Sequence, residues 1–109
     1  MKKINLDNLK PREIISGYNV KFVHSENMTF AYWDIKANAI LPEHSHPNEQ
    51  VSNIIKGEFE LIIDNKPQIL KANSIIIIPK NTKHSGRAIT DCKIIDVFYP
   101  IREDYLQKN

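Results

Sequence analysis

The feature that most narrows what this chain can fold into is a succession of short strand-like runs separated by turn formers. Residues 28–36, 50–56, 58–64, 67–71, 74–79, 84–90 and 93–99 are rich in β-branched and aromatic side chains. Between them stand Asn38, Pro42, Pro47, Gly57, the corner Asp64, Asn65 and Lys66, then Asn73, Asn81 and Asp91. Many short strands at this spacing predict an all-β sandwich or barrel, with room for a helical turn only near residues 6–15 and 101–107. No repeat, low-complexity tract or Gly/Ser linker interrupts the 109 residues, which are read as one domain.

Side-chain alternation assigns faces. In 58–64, Phe59, Leu61 and Ile63 share one face and Glu58 and Glu60 the other, the pattern of a half-buried strand. The run Ile75 to Ile78 breaks that rule, because a period of two puts two isoleucines on each face and both faces then need cover. In a chain this short a second copy can supply the cover, which predicts a homodimer.

Charge and composition exclude several classes of partner. The formal charge of +2 is scattered rather than gathered into a basic stripe, so nucleic acid is not expected. No segment approaches the ~20 apolar residues that span a bilayer, and no membrane partner is expected. Asp7, Lys10, Arg12 and Glu13 arrive before any apolar run of signal-peptide length, and a lone cysteine, Cys92, fits a reducing compartment. The expected location is the cytoplasm.

Three of the four histidines carry a chemical signal. His44 and His46 are two apart and share a face of an extended segment; Gln50, four residues further, keeps that parity. His84 opens a later strand after the turn at residues 79–83, and barrel closure can bring it opposite the first three. Imidazole is the commonest protein ligand for transition metals, so this trio reads as a metal site. His24, isolated in a turn-like stretch, reads as a surface or hydrogen-bonded histidine.

These residues resemble the cupin family. The stretch Asn38 to Gly57 matches its first motif: a turn residue, His-x-His, a Glu or Gln, and a closing Gly. The stretch Asn73 to His84 matches the second, with Asn38, Asn73 and Asn81 where glycine is usual. Asparagine is the best non-glycine occupant of the left-handed region, so the backbone requirement is kept. The resemblance implies a jelly-roll barrel, the cupin double-stranded β-helix. HSHPNEQ together with Asp96 to Leu106 is similar to the KdgF-like cupins, which act on 4,5-unsaturated uronates from pectin or alginate lyases. That likeness implies one divalent transition metal (zinc, nickel, iron or manganese) held by His44, His46, Gln50 and His84. It also implies Asp96, Phe98 and Arg102 beside the metal in the pocket of an anionic sugar. The chain departs from that group at Asn48, where histidine is frequent, and at Asn53, where tyrosine is.

The chemistry of these residues suits the implied roles. Neutral Gln50 leaves a divalent site its full charge for an incoming anion, and Glu49, the competing ligand, has the wrong parity and spacing. Asp96 shares a face with Ile94 and Phe98, so it is either a tunable acid-base carboxylate or a structural one bonded in the core. Arg102 either grips a substrate carboxylate with its planar fork or pairs with Glu103 or Asp104 in the tail. Phe98 supplies an apolar wall for a sugar ring, or core packing; Trp33 and Tyr32 read as core or interface. The leading reading is a ring-opening, ketonising isomerase, with Asp96 and Arg102 as its catalytic pair. A metal-bound small-ligand carrier without turnover and an iron-dependent dioxygenase remain as alternatives.

Overall fold

The computed structural model describes residues 1–106 of the chain. Ten strands run in chain order: β1 Arg12–Ile15, β2 Tyr18–His24, β3 Thr29–Ile35, β4 Ile40–His44, β5 Glu49–Lys56, β6 Glu58–Ile63, β7 Lys66–Lys71, β8 Ile75–Ile78, β9 His84–Ala88 and β10 Cys92–Tyr99. They form two antiparallel sheets, a six-stranded one in the order β1-β2-β3-β10-β5-β8 and a four-stranded one in the order β4-β9-β6-β7. Short 3₁₀ turns at Leu6–Asn8 and Glu103–Tyr105 complete the described residues. The expected all-β jelly roll is the observed architecture.

Three expected boundaries need correction. Residues 12–15 form an edge strand rather than part of a helical turn, because their backbone pairs with β2. Tyr18–His24 and Ile40–His44 are strands that composition hid: Asn19, Lys21 and His24, and Pro42 and Glu43, dilute the apolar signal. The C-terminal turn falls inside the expected range, whose last residue, 107, lies outside the described ones.

The core lies between the sheets. Phe59 and Leu61 from β6, Ile54 from β5, Ile94 from β10 and Ile78 from β8 are all buried, and Ile63 packs against them. The isoleucine run divides as alternation requires: Ile78 has 0% exposure, while Ile75 and Ile77 keep 66% and 63%. Asn38, Asn73 and Asn81 adopt φ of 71°, 73° and 59°, the left-handed region expected of them. Each donates its N–H to a carbonyl across the barrel: Asn38 to Ala88, Asn73 to Ile54 and Asn81 to His46. Gly57, at φ 92°, has no room for a Cβ, which would strike the Asp91 carbonyl.

Candidate metal centre and adjoining pocket

His44 ends β4 and His84 begins β9, and the two are cross-strand partners with ring centroids 4.2 Å apart. His46 lies in the turn leading to β5, which Asn81 clamps by donating its N–H to the His46 carbonyl. One ligand atom from each of the three histidines lies within 4.8 Å of the others, a cluster that could hold a metal ion. Gln50 joins from β5, its Oε1 3.0 Å from His46 Nε2. Glu49 is exposed on the opposite face of the strand.

The hydrogen bonds determine which ring nitrogens are free. Each Nδ1 faces a backbone carbonyl, which can only accept: His44 faces Pro42 at 2.9 Å, His46 faces Asn48 at 3.0 Å and His84 faces Thr82 at 2.8 Å. Every Nδ1 therefore carries the proton, and every Nε2 presents a lone pair. Burial favours the neutral form of two of these rings. It pushes His84 down to about 4, assisted by the neighbouring His44, His46 and Arg102, and it lowers His46, with Arg102 adding to the effect.

Two features fit a cation at the cluster. His84 Nε2 is buried with no hydrogen-bond partner among the described residues. Gln50 donates its amide N–H to Ser52 Oγ, so its Oε1 and the neutral His46 Nε2 face each other as two acceptors. A spacing of 3.0 Å between two acceptors is what adjacent donors to one metal require, since bonds of ~2.1 Å at a right angle end about 3 Å apart.

The cluster opens onto a cavity of about 270 Å³ between the sheets, lined by His44, Gln50, Ser52, His84, Asp96, Phe98 and Arg102 and floored by apolar side chains. Asp96 projects from β10 into this space, and Ser52 donates its hydroxyl to Asp96 Oδ1 at 2.6 Å. Gln50, Ser52 and Asp96 thus form a continuous hydrogen-bonded chain. Burial pushes Asp96 up to about 6, opposed mainly by the Ser52 and Gln50 hydrogen bonds. The indole N–H of Trp33, on the neighbouring strand β3, exerts a weaker pull while remaining without a full hydrogen-bond partner.

Arg102 is buried, with its guanidinium 4.8 Å from the Phe98 ring centroid and 4.0 Å from that of Tyr105. Phe98 meets the His46 ring edge to face at 5.5 Å. Arg102 lines the cavity and also binds Asp104 bidentately. Its side chain is only 6% exposed, so this is not the surface pair considered from the tail's composition. His24 lies away from the cluster and bonds the Thr29 hydroxyl at 2.9 Å.

Sequence reasoning assigned no role to Ser52, and it marked Asn48 only as a departure from the related cupins. Ser52 was within reach, since it shares parity with Gln50 and Ile54 on β5. Asn48 is buried and donates its side-chain amide to the Pro100 and Ile101 carbonyls, tying the ligand turn to the tail that carries Arg102. No local pattern announces such a contact.

Comparison with known proteins agrees with this architecture. Along 97% of this chain and all of the relative, it is 26% identical to the pectin degradation protein KdgF of Dickeya dadantii (strain 3937). Its fold is similar to that of KdgF from Halomonas sp., with a TM-score of 0.86 and 23% identity over 92% of this chain and 95% of that one. An RmlC-like cupin from Shewanella frigidimarina NCIMB 400 also has a TM-score of 0.86, at 24% identity over 92% and 91% of the two chains. The family model of the cupin domain matches residues 31–98, which include all three clustered histidines, Gln50, Asp96 and Phe98, and the chain therefore belongs to the cupin family.

Proposed function

We propose that this cupin is a metal-dependent enzyme that converts 4,5-unsaturated monouronates from pectin or alginate breakdown into linear 4-deoxy-5-keto uronates. The observation that carries the reading is a single cavity holding a metal-binding histidine cluster, a buried carboxylate and a buried guanidinium. Similarity to a pectin degradation protein along 97% of this chain and all of the relative supports this substrate class.

His44, His46, Gln50 and His84 would hold one divalent transition metal per chain, with zinc, nickel, iron and manganese all compatible with nitrogen and oxygen donors. The metal would supply a Lewis acid that draws charge from a substrate oxygen. Arg102 holds the substrate carboxylate, and Phe98 forms an apolar wall against the sugar ring. Asp96, ionised at neutral pH and desolvated, accepts the proton of the C1 hydroxyl as the bond from C1 to the ring oxygen breaks. The departing ring oxygen becomes the C5 enolate, and Asp96 returns the proton to C4 as the enolate becomes the C5 ketone, so the reaction is an isomerisation with no co-reactant. Ser52 keeps Asp96 oriented through both transfers.

The test follows the ultraviolet absorbance of the conjugated enol after metal-loaded protein is added. Loss of absorbance well above the buffer rate, abolished by Asp96→Asn, is the expected result. An unchanged absorbance with fully metal-loaded protein defeats the reading.

The same proposal includes assembly as a homodimer in the cytoplasm, with the chain acting as one domain. On the face of the six-stranded sheet turned away from the cavity, Val23, Phe30, Val97, Val51 and Ile77 form an unbroken apolar row across five strands. Tyr32, Ile95, Ile75 and the 58% exposed Tyr99 flank this row, with Lys21, Asn53 and Glu49 beside them. Such a face presents on the order of several hundred Å² of apolar surface, near the ~800 Å² that each partner contributes to a standard interface. A second copy offers the same apolar face about a two-fold axis.

A further inference from the structure

Arg102 is held by more contacts than burial alone requires. Its backbone N–H donates to Thr29 Oγ1 at 2.9 Å, and its carbonyl accepts from the Tyr105 N–H at 3.0 Å. Its guanidinium lies against the Phe98 and Tyr105 rings. Asp104 then takes one edge of that plane: Nε donates to Oδ1 at 2.9 Å and Nη2 to Oδ2 at 2.6 Å.

A guanidinium has two edges that match a carboxylate, the side edge of Nε and Nη2 and the end edge of Nη1 and Nη2. Asp104 uses the side edge. Among the described residues Nη1 makes no hydrogen bond, so no protein carboxylate takes the end edge. Arg102 itself lines the cavity that contains His44, His84 and Asp96. The Asp104 carboxylate is on the solvent side, 61% exposed, where water screens its charge.

We propose that Asp104 is a positioning residue: by occupying the side edge of Arg102 it fixes the guanidinium so that the end edge is presented to the substrate carboxylate. The proposal rests on the ring-opening reading above. Held by two aromatic rings and one carboxylate, Arg102 loses little further freedom when an anion arrives. The arrangement also selects for shape, since a planar carboxylate can engage both end-edge donors and a lone hydroxyl cannot.

The experiment compares wild type, Asp104→Asn and Asp104→Glu in the metal-loaded protein. D-Galacturonate, a saturated uronate, serves as a calorimetric binding probe, and the unsaturated monouronate is used for kinetics. Asp104→Asn removes one of the two acceptor oxygens, and it should weaken galacturonate binding and raise KM about tenfold with kcat within about threefold. Asp104→Glu should recover part of the loss. In nitrogen-resolved NMR, the Arg102 Nε–H should exchange slowly with solvent in wild type and rapidly in Asp104→Asn. Unchanged or tighter galacturonate binding in Asp104→Asn, an unaltered Nε–H, or a wild type that does not bind galacturonate overturns the proposal. A wild type that binds galacturonate with the expected dependence on Asp104, yet leaves the unsaturated sugar intact, defeats the ring-opening reading alone.

Discussion

Replacing Asp96 with asparagine should make the metal-free protein more stable and the enzyme far slower. Burial raises the Asp96 carboxyl from 3.8 to about 6. At about 1.4 kcal/mol per pKa unit, holding the ionised form in the cavity costs ~3 kcal/mol above pH 7. The sign follows from proton binding. Below 3.8 both folded and unfolded states are protonated and the penalty vanishes, whereas between 3.8 and 6 the unfolded chain ionises first and stability falls as pH rises. Asparagine keeps the side-chain volume and still accepts from Ser52 through its Oδ1, but it carries no charge. Some of the gain is lost because a hydrogen bond to a neutral acceptor is weaker than one to a carboxylate, which leaves a net stabilisation of about 1–2 kcal/mol. Urea unfolding of metal-stripped protein at pH 8 and at pH 4 measures the difference, and the gain should be present at pH 8 and largely absent at pH 4. Turnover should meanwhile fall on the order of 10²–10⁴-fold, the usual contribution of a positioned acid-base group. An Asp96→Asn protein equally stable or less stable at pH 8, or a stability difference that ignores pH, would refute the account of a desolvated carboxylate.

Three further outcomes are expected. Because burial holds His84 at about 4, the unfolded chain takes up a proton near 6.5 that the folded chain refuses, so metal-free protein should lose stability as pH falls from 6.5 towards 4. The loss should be steeper in Asp96→Asn, which lacks the opposing carboxylate, and acid titration followed by circular dichroism checks it. His84→Ala should reduce bound metal from one equivalent per chain to near zero by elemental analysis, because it removes a Nε2 lone pair with no other partner. Wild type should have the mass of two chains by light scattering, and Ile77→Lys, on the outer apolar row at the sheet edge, should leave a folded monomer.

The sequence is most informative where local geometry decides the outcome. Alternation alone places Phe59, Leu61 and Ile63 on one face and Ile94, Asp96 and Phe98 on another, and the backbone preference of asparagine anticipates three left-handed turns. The parity of His44, His46 and Gln50 was legible for the same reason. What escaped depends on pairing between distant segments. Arg12–Ile15 becomes a strand only because β2 lies beside it, and Ser52 gains its role only when β10 brings Asp96 opposite. Asn48 reaches 52 residues along the chain to the Pro100 carbonyl. Such contacts are set by register and closure of the barrel, which no short window of sequence encodes.

Proton NMR of the unsaturated monouronate in deuterated water follows the proton that Asp96 is proposed to move within a metal-bearing uronate pocket. With catalytic amounts of metal-loaded protein, the vinyl C4 proton signal should disappear far faster than in buffer. The early product should be a linear 5-keto sugar bearing one deuteron at C4, delivered from the exchanged carboxyl of Asp96. A vinyl signal that decays no faster than in buffer, in the presence of protein carrying one metal per chain, would contradict the account.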